Sequence, residues 1–184
     1  MKKKFLFLLF LLSLAGSGLY LIRRDKGAVE SVAISKTGTK INDIAPSFTI
    51  TTVEGKEIKS SSLRGKIVVI TSAAAWCPTC VKEAQEFAPV YQKYKDKGVV
   101  FITVDIDPRD DKDFIQQFQI TNKTPWHYTD AEGGKEIREK YSLQRFEITY
   151  ILDRQGKIRF KDSVITRGHR LEQEIEKLLS SPAN

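Results

Sequence analysis

Cysteine and histidine are scarce in this chain of 184 residues: Cys77 and Cys80, His127 and His169 are all there is of either. That excludes a disulfide framework. It also argues against a structural zinc site, which needs four ligands, because the two histidines stand far from the cysteines and from each other rather than in the usual clustered spacing. There is no internal repeat, and no low-complexity tract beyond the leader. The formal charge of +7 is missing from most of the chain. Residues 1–40 hold eight Lys and Arg against two Asp and Glu, whereas residues 41–184 hold 22 against 21. The nearly neutral remainder offers no electrostatic footprint for nucleic acid. The length suits one well-buried core and is short for two.

The basic excess frames a leader. Met1 and three lysines precede an uncharged run from Phe5 to Ile22, closed by Arg23 and Arg24, the layout of an export signal or signal anchor. At about 18 residues the run sits at the lower edge of what crosses a hydrocarbon layer ~30 Å thick. Residues 1–22 are therefore either a retained single-pass membrane anchor or a cleaved signal peptide. Small residues at Ser13 and Ala15, or at Gly16 and Gly18, suit a signal peptidase, and Ser17 stands where a lipoprotein box would carry its cysteine. Both routes put the following domain outside the cytoplasm, on the periplasmic or extracellular face, or secreted if the leader is removed. Residues 23–40 are polar and read as a linker, and residues 41–180 form the folded domain.

Within that domain, Phe48–Thr51 and Glu57-Ile58 flank a Glu54-Gly55-Lys56 turn and predict a hairpin. Ile67-Val68-Val69-Ile70 is short and apolar at every position, as in a central strand covered on both faces. From Pro78 to about Lys95, Val81, Ala84, Phe87, Ala88, Tyr91 and Tyr94 recur at three and four and predict an amphipathic helix kinked at Pro89, with Gly98 beyond its end. Val99–Val104 is a second strand, joined to the first by a right-handed parallel crossover. Asp107-Pro108 reads as a cap followed by proline at the first helical position, opening a helix through Phe118. A helix near 135–141, a strand at 149–152, a turn at 153–156, a strand at 157–161 and a C-terminal helix presenting Leu171, Ile175, Leu178 and Leu179 complete the series.

Chemistry concentrates at Trp76-Cys77-Pro78-Thr79-Cys80, between a buried strand and a helix. In an oxidising compartment stray thiols are oxidised or mispaired, so a chain whose only cysteines form one C-x-x-C suits deliberate redox work. The structural alternative, a staple closing so short a loop, removes little unfolded-chain entropy. Unpaired amides and the dipole at the helix N-terminus favour a thiolate at Cys77, the attacking nucleophile, and Cys80 lies one turn on, placed to resolve a mixed disulfide.

With Ile44-Ala45-Pro46-Ser47-Phe48, Gly55-Lys56, Leu63-Arg64-Gly65-Lys66 and Asp153-x-x-Gly156-Lys157-Ile158, this motif resembles the TlpA/ResA-type membrane-anchored thioredoxin-like proteins over nearly all of residues 41–180. The resemblance implies an α/β thioredoxin-like fold: a central mixed sheet with flanking helices, preceded by an N-terminal β-hairpin and a signal-anchor helix. It implies dithiol/disulfide exchange with cysteine-containing exported proteins, as a reductant, fed by a membrane-embedded or exported thiol electron donor, and no cofactor. Glu83 matches an acidic position that tunes the thiols or relays protons in such proteins; the plain alternative is a solvated helix glutamate. Trp76 matches the tryptophan beside the nucleophile, a shield and docking surface. The family's cis-proline falls at Glu147 or Ile148, and a carboxylate there would raise thiol pKa.

A rival reading rests on Val104–Asp110 with Trp126-His127-Tyr128, which resemble the Sco-type copper metallochaperones of the same fold. Thiolates with an imidazole suit Cu(I). Against it, that family spaces its cysteines by three and adds a histidine near the later hairpin, and residues 144–150 hold none. His127 and His169 read as packing or surface residues. The aspartates at 105, 107, 110, 111 and 113 read as turn and cap residues rather than a cation site, and a peroxidatic cysteine acts without this pair.

Overall fold

The computed structural model describes residues 36–181. The leader and most of the linker, and with them the expected signal-anchor helix, lie outside the described residues, and among the described residues no helix is long and apolar enough to cross a membrane.

Strands β1 (Thr49–Thr51) and β2 (Glu57–Lys59) form the predicted antiparallel hairpin. A 3-10 turn at Ser60–Leu63 leads into β3 (Ile67–Ala73), three residues longer than the apolar run foretold and buried at every position. Helix α1 (Pro78–Tyr94) crosses over to β4 (Val99–Asp105), parallel to β3. Next come α2 (Lys112–Asn122), β5 (His127–Thr129), α3 (Lys135–Lys140), β6 (Thr149–Leu152), β7 (Ile158–Asp162) and α4 (Gly168–Ser180). The sheet order is β5-β4-β3-β6-β7; β3, β4 and β5 run parallel, and β6 and β7 pair antiparallel to their neighbours. This is the mixed-sheet thioredoxin-like arrangement, with the hairpin before it.

The alternation of β3 sorts the core. Ile67 and Val69 pack with Ala84, Phe87 and Val90 of α1, Ile115 and Phe118 of α2, and Leu171 and Ile175 of α4. Val68 and Ile70 point the other way, onto Ile50 and Ile58 of the hairpin and Ile137 and Tyr141 at α3. A strand covered on both faces has no polar face to display, which is why β3 reads as an unbroken apolar run. Helix α1 continues through Pro89 without interruption.

One expectation is corrected. Helix α2 starts at Lys112, not after Pro108, and its N-cap is Asp111, whose side chain accepts from Phe114 N at 2.8 Å. Asp107-Pro108-Arg109-Asp110 is instead a tight turn closed by Asp110 N donating to Asp107 O at 3.1 Å. Aspartate then proline serves equally as cap-N1 and as the first two positions of a β-turn. Asp107 Oδ1 does accept from Arg109 N at 3.0 Å, as a cap would, but the chain closes on Asp110 and the helix is capped by Asp111.

Ile175 is fully buried between α4 and the sheet. Ile175→Ala is expected to destabilise the domain by about 2–5 kcal/mol, read from the urea midpoint of the reduced protein. A loss below about 0.5 kcal/mol, the range of ordinary surface changes, would show that α4 does not seal this face.

Candidate active site

Because β3 ends at Ala73 and α1 begins at Pro78, the intervening turn carries the first cysteine to the helix N-terminus. Cys77 is the N-cap of α1, in extended conformation, and its sulfur accepts from Cys80 N at 3.4 Å, with Thr79 Oγ1 at 3.1 Å. Pro78 occupies the first turn, where its missing N–H costs nothing. Both cysteines are thiols and both are buried, with Ala73 and Ala74 around them and Phe146 packed alongside. Burial, then the hydrogen bond to Cys77, drives the Cys80 thiol far above its ordinary pKa. Cys80 thus holds its proton.

Trp76 stands at the rim, 48% exposed. Its ring meets Phe146 edge-on at 5.5 Å, and its Nε1 donates to Asp107 Oδ2 at 2.7 Å. Arg109 grips the same carboxylate with Nε at 2.9 Å and Nη2 at 2.6 Å, and its guanidinium lies 5.8 Å from the tryptophan ring centre. These donors hold the Asp107 carboxyl well below the usual carboxylate range, Arg109 contributing most. Ala75 N donates to two buried carboxylates, Asp105 at 3.0 Å and Asp110 at 2.8 Å. Burial, with Asp110 close by, raises Asp105 to about 8. Asp105, Asp107 and Asp110 therefore fasten the cysteine loop to the end of β4, while Asp111 caps α2.

Glu83 lies on the inward face of α1 and is 2% exposed, so it is not a solvated helix glutamate. Its carboxylate accepts from Thr166 N at 2.8 Å and Thr71 Oγ1 at 3.2 Å. Burial outweighs both bonds and lifts Glu83 to about 7.

Glu147 precedes β6 with a φ of 63°, in the left-handed region that costs a residue with a Cβ about 1–2 kcal/mol. Ser72 of β3 holds it there. Glu147 N donates to Ser72 O at 2.9 Å, Ser72 N to Ile148 O at 3.1 Å, Ile148 N to Ser72 Oγ at 3.1 Å, and Ser72 Oγ to Arg145 O at 2.7 Å. The outcome is that a Glu147 carboxylate oxygen and the sulfurs of Cys77 and Cys80 lie within 4.8 Å of one another.

The two sulfurs, Trp76 and Glu147 therefore share one site, and Glu83 sits behind it, inside the fold. His127, half-buried in β5 and lowered in pKa by burial, and exposed His169 on α4 do not join the sulfurs. Sequence reading missed Phe146, Ser72 and the Asp107–Arg109 clasp. Aspartates clustered just past a strand end, level with the cysteine loop of the neighbouring strand, were the available sign of the clasp; Ser72 gave none.

The AhpC/TSA family model matches residues 41–161. The chain is 30% identical over 142 residues to the thiol-disulfide oxidoreductase ResA of Bacillus thuringiensis, covering 76% of this chain and 77% of that one. Among solved structures it is similar to a protein disulfide isomerase candidate from Bacteroides thetaiotaomicron, with a TM-score of 0.69, 29% identity and coverage of 78% and 92%. It is also similar to the thioredoxin domain of a Bacteroides vulgatus thiol-disulfide oxidoreductase, with a TM-score of 0.66, 25% identity and coverage of 77% and 99%.

A carboxyl whose folded pKa lies above its unfolded value stabilises the fold fully below the unfolded pKa, and that stability is lost as pH rises through the folded pKa. For Glu83 the window runs from 4.5 to about 7. Glu83→Gln, which keeps an acceptor for Thr166 N and a donor for Thr71, is expected to flatten the decline across that window. Above it the variant should exceed the native chain by about 2–4 kcal/mol. Parallel stability–pH curves for the two proteins in urea would refute the buried, raised carboxyl.

Proposed function

The chain belongs to the AhpC/TSA family and is a ResA-like thioredoxin-fold thiol-disulfide oxidoreductase, and from that premise we propose that it works outside the cytoplasm, tethered by residues 1–22, reducing disulfides in exported proteins. The observation that carries the reading is the pair at the start of α1: Cys77 capping the helix beside exposed Trp76, and Cys80 one turn on, a buried thiol that holds its proton. The leader's lysines, apolar run and arginine pair support export.

In the forward direction the Cys77 thiolate attacks one sulfur of a partner disulfide. The partner's S–S bond breaks, its other sulfur leaves as a thiolate and takes a proton, and Cys77 is joined to the partner. Cys80 then loses its proton, attacks Cys77 Sγ and expels the partner's second thiolate, so the partner ends as a dithiol and the enzyme as the Cys77–Cys80 disulfide. A thiol donor returns the enzyme to the dithiol by the same steps reversed. Trp76 and Phe146 offer the partner an apolar rim, and the Asp107–Arg109 clasp keeps the indole in place.

The copper-chaperone alternative lacks its imidazole: among the described residues the group gathered at the sulfurs is completed by Glu147, with neither histidine in it.

Cys80→Ser is expected to accumulate a partner mixed disulfide through Cys77, Cys77→Ser to accumulate none, and both to abolish turnover. Equilibration of the native chain with redox buffers, followed by thiol alkylation, is expected to give a two-electron couple near or below roughly −250 mV, in the range of reducing C-x-x-C proteins. A couple near roughly −120 mV, where strong oxidants lie, would reverse the assigned direction; absence of a reversible couple would remove the function.

A further inference from the structure

The exchange chemistry uses the two sulfurs and leaves Glu147 unexplained. Its carboxylate is the acidic group that, among the described residues, stands within 4.8 Å of both Cys77 Sγ and Cys80 Sγ. Glu83 is not in that group, and its oxygens are engaged by Thr166 and Thr71. Glu147 reaches the sulfurs from a left-handed backbone fixed by four hydrogen bonds at Ser72 and its neighbours, an unfavourable conformation that is held rather than relaxed. A carboxyl beside two thiols opposes the loss of their protons unless a cation lies between the three groups.

We propose that the reduced Cys77–Cys80 pair and Glu147 form a reversible Zn²⁺ site that blocks disulfide exchange while the metal is bound. The inference rests on the dithiol reading above. Zinc bonds of about 2.3 Å to sulfur and 2.0–2.2 Å to oxygen place tetrahedral donors roughly 3.5–3.8 Å apart. Donors already within 4.8 Å of one another need only a small closing movement, which the half-buried Glu147 side chain supplies. Two thiolates with one carboxylate match a borderline cation; Cu(I) favours sulfur and imidazole, and hard divalent ions favour oxygen alone. Three anionic donors leave one excess negative charge on the complex, and the N-terminus of α1 lies against it with about half a positive charge. The fourth position is left for water or a partner's thiolate. Binding replaces the thiol protons of Cys77 and Cys80, which go to solvent, and no electrons move. Oxidation to the disulfide removes both thiolate donors, so the site exists in the reduced state alone.

The test titrates Zn²⁺ into the full-length chain, reduced and stripped of metal, against a chromophoric chelator. One ion per reduced chain is expected, with release of about two protons and none bound by the disulfide form. Glu147→Gln should weaken binding at least tenfold, since even outer-shell partners are worth about 10–100-fold, and Glu147→Asp should recover part of it. Co²⁺ in place of Zn²⁺ should show thiolate-to-metal charge transfer whose visible bands change in Glu147→Gln. Zinc should stop exchange by the native chain and a chelator restore it. Equal zinc affinity in Glu147→Gln and native protein, or equal binding by the oxidised chain, overturns the inference. Metal-free exchange by the native chain, measured on the same preparation, reports on the oxidoreductase reading separately: exchange without Glu147-dependent zinc binding sinks the zinc site alone.

Discussion

Everything at the site depends on β3 being buried on both faces. A strand with sheet neighbours on either side and helices above and below cannot shift register without turning one apolar set into the other layer. Its end is therefore fixed, and the turn that follows is fixed with it. Ala73 and Ala74 leave room beside the sulfurs, Ala75 N is taken by two carboxylates, and Cys77 falls at the cap of α1. One residue before the end of the same strand, Ser72 reaches sideways to the segment before β6 and sets Glu147. The two halves of the site, the cysteine loop and the 145–148 segment, are thus referred to a single strand, which lets side chains far apart in sequence hold their spacing.

The sequence made the skeleton legible where burial writes a simple pattern. The apolar run of β3, the three-and-four spacing in α1 and the Asp153–Gly156 turn each have one physical solution, and a strand, a helix and a turn formed at these places. The start of α2 was not legible, because Asp107-Pro108 satisfies two local motifs: Asp107 Oδ1 accepts from Arg109 N in the turn as it would in a cap, and the carboxylate is shared with the Trp76 indole and the Arg109 guanidinium. Glu83 illustrates a second limit. Its helical position was plain, but whether a glutamate one turn past the cysteines faces water or core depends on Thr71 and Thr166, from a strand and a loop that no local window includes. Glu147 could be aligned with a position of known importance, while its left-handed backbone and its approach to the sulfurs follow from Ser72, a residue with no sequence signal of its own.

Acidic groups crowd the interior around the dithiol. Glu83 and Asp105 are raised toward neutrality by burial, Cys80 is raised further, and Glu147 lies beside both sulfurs. Buried carboxyls that keep their protons near neutral pH add little field, so Glu83 and Asp105 do not repel the one thiolate that exchange needs. Asp107 differs, being bound by Arg109, and serves as an anchor for the rim rather than as a store of protons.

The placement of the two tryptophans has a practical consequence. Trp76 lies half in solvent beside Cys77, whereas Trp126 is 5% exposed, donates from Nε1 to Thr103 at 2.9 Å and stacks on Tyr128 in the core. The indoles therefore occupy environments of different polarity, and only the first borders the reacting sulfurs. The two indoles are thus placed to sense separate events, Trp76 the occupancy and oxidation of the cysteine loop and Trp126 the integrity of the aromatic core.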